Sequence, residues 1–258
     1  MVIFRFIHVL LLSSCGLSQT YDELKAQIPE RPEFNGAMGK YLNYPGLNYE
    51  PNLESVRGLI RFNKARASTY NLYTERLDSV LPHPEYFVQY QYNQIDCRDI
   101  AEYRLVEDLH HYCRFDIIEL GAECVKQYGY GFEDGQPCIA LHLDRILNWL
   151  PEPYTNDTVP EKIRDIWTEY AVTVHCEGED PVTKDNLGNV VYYPSNGFKF
   201  RYFPNTGLEG WQSPLVFVRL DEPNPAIALR VTCSAYAKNM KHDDILHTGK
   251  VSFDVMVD

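Results

Sequence analysis

Eight histidines, seven cysteines and 36 acidic side chains are the residues here with the means to do chemistry. His110 and His111 are adjacent, so their side chains point in different directions and make a poor metal pair. His242 with Asp243, Asp244 and His247 is the most metal-like cluster, but it lies in a polar stretch between two strand-like runs and reads as a solvated loop. Glu177, Glu179 and Asp180 are close enough to be drawn as a general acid and base, which spacing alone does not test. No Gly-x-Ser-x-Gly occurs, which removes the usual hydrolase elbow. Tyr128-Gly129-Tyr130-Gly131 is glycine-rich but lacks Gly-Lys-Ser/Thr and opens no helix, so it reads as a turn before Cys138. The chain is therefore expected to have no catalytic residue, no metal ligand and no cofactor.

The cysteines carry more information once the N-terminus is read. Val2 to Leu17 is almost wholly apolar, broken only by Arg5, His8 and Ser13-Ser14. Such a run spans about 24 Å as a helix, less than the ~30 Å hydrocarbon core. It fits a cleaved signal peptide, a retained signal anchor, or a lipoprotein-like site at Leu12-Ser13-Ser14-Cys15. Each of these sends the remaining chain across a membrane. Setting Cys15 aside leaves Cys97, Cys113, Cys124, Cys138, Cys176 and Cys233, an even set that implies disulfides in an exported chain. Six cysteines allow 15 pairings, and the residues themselves leave the choice open. The absence of Cys-x-x-Cys argues against a zinc ribbon or a thioredoxin-type site. The sequon Asn156-Asp157-Thr158 follows Pro151-Glu152-Pro153 in a loop-like stretch, and Asn156 is expected to be glycosylated.

Charge narrows the partners. With 24 basic against 36 acidic residues the net charge is −12, and no basic stripe is present to bind phosphates, so no nucleic-acid partner is expected. Nineteen tyrosines against three tryptophans favour a β-rich binding surface.

The elements that must carry these residues follow from periodicity. Residues 1–18 are the signal or anchor segment, and 19–66 read as an extended stalk with a first strand. Within that stretch Ile28-Pro29-Glu30-Arg31-Pro32 and Tyr44-Pro45-Gly46-Leu47 cannot sit inside a helix. Tyr70, Tyr73, Leu77 and Val80 recur at helical spacing, predicting one packed helix over Ala67 to Leu81, capped by Ser68 and stopped by Pro82. Beyond Cys97 the period is two. Ile139, Leu141 and Leu143 alternate with Ala140, His142 and Asp144, while Val172, Val174 and Cys176 share one face. Leu215 to Leu220 is a continuous apolar run broken only by Arg219. Ile227, Leu229, Val231 and Cys233 alternate, as do Val251, Phe253, Val255 and Val257. These runs predict a mainly β chain, an immunoglobulin-like antiparallel sandwich over 67–258. Cys176 and Cys233 each continue an inward face and are expected to bridge its layers.

Several stretches, in order, resemble the non-catalytic β subunit of the sodium/potassium-transporting ATPase and its proton/potassium relative. They are Gln19-Thr20-Tyr21-Asp22 with Ile28-Pro29 and Pro45-Gly46-Leu47, then Cys113-Arg114-Phe115, Tyr128-Gly129-Tyr130 and Gly135-Gln136-Pro137-Cys138-Ile139. Leu143-Asp144-Arg145-Ile146, Val174-His175-Cys176-Glu177-Gly178, Gly188-Asn189-Val190, Tyr202-Phe203-Pro204-Asn205-Thr206-Gly207 and Cys233-Ser234-Ala235-Tyr236 follow. The likeness runs from about Gln19 to Asp258.

That resemblance implies the pairing Cys97–Cys113, Cys124–Cys138 and Cys176–Cys233. Each bond would stabilise by about 3 to 4 kcal/mol in the chain-entropy model, with the longest loop mattering most. It implies a plasma-membrane protein of single-pass type II topology, anchored by its N-terminal segment, with its C-terminal domain outside. It implies a partner, the catalytic α subunit of a P-type cation pump, which the chain would help to fold, assemble and deliver, and whose K⁺ and Na⁺ transport it would tune. Tyr202, Phe203, Pro204 and Gly207 fall on the family's partner-contact motif, although Asn205-Thr206 stand where the family has two tyrosines. The alternative reading is a secreted or surface adhesion glycoprotein with this fold and no pump, which the short N-terminus favours.

Overall fold

The alternating runs form strands because β-branched and aromatic side chains at every second position present one apolar face to a facing layer. The computed structural model describes residues 21–31, 43–53, 58–82, 89–97, 109–195, 197–243, 245 and 248–258. Residues 1–18, with all three readings of the N-terminal segment, lie outside them.

Eleven strands occur among the described residues, in two large sheets and one small one. The first is built from β1 (Gly46–Glu50), β5 (Cys138–Asp144), β9 (Leu215–Asp221) and β7 (Asn189–Tyr193), in the order β1-β5-β9-β7. The second runs β2-β11-β10-β6-β8, with β2 (Leu59–Phe62), β11 (Lys250–Val257), β10 (Leu229–Tyr236), β6 (Ala171–Gly178) and β8 (Phe198–Lys199). The small pair is β3 (Gln94–Ile95) with β4 (Tyr112–Cys113). Pairing in the large sheets is antiparallel except where β2 joins β11 in parallel, a departure from the all-antiparallel expectation.

Register shows which faces meet. Tyr49 pairs with Leu141 and Leu141 with Val216, so these three share a face of the four-stranded sheet. The Tyr49 ring lies 4.9 Å from that of Phe253 on β11, so this face meets the five-stranded sheet. On the opposite face Glu50, Ala140 and Phe217 are aligned, and Phe217 meets the Tyr130 ring at 6.0 Å. The turn around Tyr130 thus covers a second face of the same sheet. This explains why Leu215 to Val218 are all buried, and why Ala140, expected to face outward, is buried as well.

The stretch expected as a stalk with a first strand supplies a strand to each large sheet, β1 and β2, so the two-sheet core begins before residue 67. It also holds helix α1 (Tyr21–Gln27), whose Leu24 is buried and whose Lys25 pairs with Glu152 at 2.6 Å. The expected single helix becomes a 3-10 turn, Ala67–Thr69, followed by α2 (Asn71–Val80), and a third short helix, α3 (Pro181–Asn186), packs beside β6 and β10. Tyr70, Tyr73 and Leu77 are buried as a stripe, with Val80 half-buried. Ser68 does not cap α2, which starts without a side-chain cap; Thr69 instead ties the preceding turn, its hydroxyl donating to the Arg66 carbonyl at 2.7 Å. Leu81 leaves the helix in extended geometry, as a residue before Pro82 must.

The three disulfides have distinct places. Cys97–Cys113 ties the ends of β3 and β4, and Cys124–Cys138 fastens the turn region over the four-stranded sheet to the start of β5. Cys176–Cys233 joins neighbouring strands of one sheet, where the two residues are direct partners with Cα atoms 4.0 Å apart. It does not bridge the layers. The Cys176 N–H points away from β10 and donates to the Tyr192 hydroxyl at 2.8 Å, so this is a non-hydrogen-bonded pair, the position where opposed side chains come closest. Tyr192 belongs to the other sheet, so the layers are linked here by a hydrogen bond. Burial pushes the Tyr192 phenol up to about 12.

Candidate functional site

The described members of the histidine and acid clusters are engaged with near neighbours. The His242 ring nitrogen meets the Ala235 carbonyl at 2.7 Å, and its ring stands edge-on to Tyr236. Asp243 accepts from the Ile245 N–H at 2.9 Å, while Asp244 and His247 lie outside the described residues. The acids after β6 diverge rather than converge. Glu177 pairs with Lys162 at 2.5 Å, Glu179 with Arg230 at 3.4 Å, and Asp180 caps α3 by accepting from Thr183. Those bonds from Thr183 hold the Asp180 carboxyl below its ordinary range. Among the described residues no three His, Cys, Asp or Glu side chains are grouped so as to hold a metal ion. The Tyr128–Gly131 stretch is a tight turn: Gly131 has φ +75°, and a Cβ there would lie 2.1 Å from the Gln136 carbonyl oxygen. Only glycine fits.

Asn156 is exposed in a turn where the Thr158 N–H donates to the Thr155 carbonyl at 2.9 Å and Arg164 donates to the Asn156 carbonyl at 3.1 Å. The side chain of this asparagine is thus presented outward on a fixed backbone.

The stretch expected to touch a partner lies between β8 and β9. The structure places Tyr202, 3% exposed, and Phe203, 1% exposed, in the core, with Pro204 buried beside them. Phe203 stands edge-on to Trp149 at 5.5 Å and Tyr202 edge-on to Phe115 at 5.3 Å, which is why neither ring reaches the surface. Only Gly207 of the four is exposed. The turn around it is strapped down by backbone. The Asn148 N–H donates to the Asn205 carbonyl at 2.7 Å, and the Gly207 N–H donates to Asn205 Oδ1 at 2.8 Å. Leu147, which bridges to Asn205, is 42% exposed beside it.

On the residues that lead into this turn lies a group of charges that periodicity did not flag. Glu119, on the 3-10 turn Ile117–Leu120, accepts on Oε1 from Arg201 and from the Tyr202 hydroxyl, the latter at 2.7 Å. Its Oε2 faces Lys199 at 3.3 Å. Arg201 also donates to the Cys97 carbonyl at 3.0 Å and lies over the Tyr202 ring. Burial and the neighbouring Glu119 push the Tyr202 phenol well above its ordinary value. Glu119 and Arg201 are 82 residues apart, so spacing carried no signal of their meeting.

Comparison with known proteins gives a consistent result. A family profile described as sodium / potassium ATPase beta chain matches residues 11–253. A Caenorhabditis briggsae protein described as probable sodium/potassium-transporting ATPase subunit beta-3 is 31% identical over 264 residues, covering 99% of this chain and 79% of its own. Sodium/potassium-transporting ATPase subunit beta-2 of Drosophila melanogaster is 31% identical, covering 83% of this chain and 71% of its own. The human subunit beta-2 is 25% identical, covering 83% and 72%.

Proposed function

The chain belongs to the sodium/potassium ATPase beta chain family, and from that premise we propose that it serves as the non-catalytic β subunit of a P-type cation pump. ATP hydrolysis and ion movement belong to the α subunit, and this chain is not itself an enzyme. It pairs with that subunit during synthesis, supports its folding and its delivery to the plasma membrane, and tunes its handling of K⁺ and Na⁺. The observation that carries the reading is the family match over residues 11–253, which runs across both large sheets and all three disulfides.

In this reading the N-terminal apolar segment anchors the chain in type II topology with residues from about 19 onward outside. Among the described residues no helix is long and apolar enough to cross a membrane, so the anchor rests on the sequence of residues 1–18. Asn156 carries a glycan, supported by its exposed turn. The two facing sheets form an immunoglobulin-like sandwich in this reading, supported by the Tyr49–Phe253 contact between them. The partner contact is made by the exposed end of the 202–207 stretch, Gly207 with Leu147 beside it, while Tyr202, Phe203 and Pro204 shape it from below.

Co-expression of the tagged full chain with a pump α subunit, followed by capture in mild detergent, tests the proposal. Recovery of the α subunit with the chain is the expected result. A disulfide-bonded chain that reaches the medium or surface alone, with no α subunit recovered, would sink it and favour an adhesion role.

A further inference from the structure

Glu119 draws together three stretches of chain that are remote in sequence. Its Oε1 accepts from Arg201 and from the Tyr202 hydroxyl, and its Oε2 faces Lys199. Through Arg201 the same carboxylate reaches the Cys97 carbonyl, at the end of β3. Arg201 is 4% exposed and Glu119 and Lys199 are largely covered, so these charges are mostly taken out of water. Well-packed apolar side chains of the same volume would hold a fold equally well or better, because desolvation offsets most of the attraction between buried charges. What a carboxylate with several donors supplies instead is direction: it admits few arrangements of the groups around it.

The residues it holds, Lys199, Arg201 and Tyr202, run directly in sequence into the 203–207 segment. The Tyr202 carbonyl accepts from the Trp211 indole at 3.4 Å, and Asn205 and Gly207 follow within the same strapped segment. Movement of Tyr202 would therefore carry both ends of the 202–211 loop with it.

We propose that Glu119, Lys199 and Arg201 form an ionic latch that fixes the Asn205–Gly207 turn in the orientation the partner requires. They are positioning residues and touch no partner themselves. The inference rests on the pairing proposed above, and adds to it the device that presents the surface.

Two full-chain variants test the latch, each co-expressed with a pump α subunit. Glu119→Gln keeps the shape and removes the charge. Glu119→Leu/Lys199→Met/Arg201→Met removes all three charges and leaves none uncompensated, so it stays folded where the first variant does not. Retention of three disulfides and a cooperative unfolding transition identifies the folded protein. The expected result is amide exchange about tenfold faster over residues 203–211, with the sheets unchanged, and about tenfold less α subunit recovered. A folded variant with wild-type exchange there, or with fast exchange and undiminished recovery, overturns the proposal. If the unaltered chain recovers no α subunit, the pairing reading falls instead, and the exchange rates judge the latch by themselves.

Discussion

The four-stranded sheet is covered on both faces, around Leu141 on one and around Ala140 and Phe217 on the other, whereas the five-stranded sheet buries one face and turns a polar one outward. On the first, Tyr49, Leu141 and Val216 face the other sheet, while Ala140 and Phe217 lie under the turn that carries Tyr130. On the second, Val231, Cys233 and Phe253 face inward, and the outer face is a polar ladder. There Thr232 and Ser252 hydroxyls meet at 2.8 Å, and Arg230 lies 3.4 Å from both Glu179 and Asp254. The difference teaches where stability and function can separate. The doubly covered part of the first sheet leaves little room for a change at Phe217 or Ala140, and the 3-10 turn that carries Glu119 packs against its strand β9.

Truncating an outer-face residue on each sheet should break this comparison if it is wrong. Phe217→Ala is expected to cost about 3 to 5 kcal/mol, because a buried ring leaves a cavity, whereas the exposed Ser252→Ala should cost under about 1 kcal/mol. Denaturant unfolding of the two variants checks this. Similar losses would mean that the two outer faces do not differ.

The disulfides rank next. Replacing Cys176 and Cys233 by Ala opens a 57-residue separation and should cost about 4 kcal/mol, against about 3 kcal/mol for Cys124–Cys138 with its separation of 14. Differential scanning calorimetry of the two double variants should reproduce that order. A smaller effect is expected at the hydrogen bond between layers. Tyr192→Phe leaves the Cys176 N–H unsatisfied and should cost about 1 to 2 kcal/mol, visible as faster amide exchange along β6.

The smallest effect concerns pH. Burial holds His142, on the outer face of the four-stranded sheet, below its ordinary 6.5, with Arg76 acting in the same direction and Glu50 and Asp144 against. The folded state therefore favours the neutral ring. Its contribution is fully present above pH 6.5 and is lost as pH falls through the lower folded value, because the unfolded chain takes up the proton first. His142→Gln should flatten part of the fall in unfolding midpoint below pH 6.5. His175, also lowered by burial, contributes with the same sign and remains in that variant.

How much of this was legible depended on which face was wet. In β11 and β10 polar and apolar residues alternate, so the inward set Val251, Phe253, Val255 and Val257 could be read directly. In β5 the same reading put Ala140 outside, because a small side chain at an alternate position looks the same under a second layer as in water. Cys176 and Cys233 were recognisably inward, yet whether they join layers or neighbours depends on strand order, which periodicity does not encode. One strand is expected within residues 19–66 and two are found, Gly46–Glu50 and Leu59–Phe62, because prolines and glycines mark breaks without excluding short strands between them. The stretch proposed to touch a partner was singled out by resemblance alone. Its burial and the Glu119 network arise from contacts between residues far apart in sequence, 82 for Glu119 with Arg201 and 83 for Glu119 with Tyr202.

The proposed contact between this chain and a pump α subunit lies at the exposed end of the 202–207 stretch. A photo-crosslinking side chain placed at Leu147, exposed beside Asn205, tests it most directly, with Val182, 59% exposed on α3, as the control position. The account predicts a covalent adduct to the α subunit from position 147 and little or none from 182. A captured α subunit that is labelled equally from both positions, or only from 182, would contradict it.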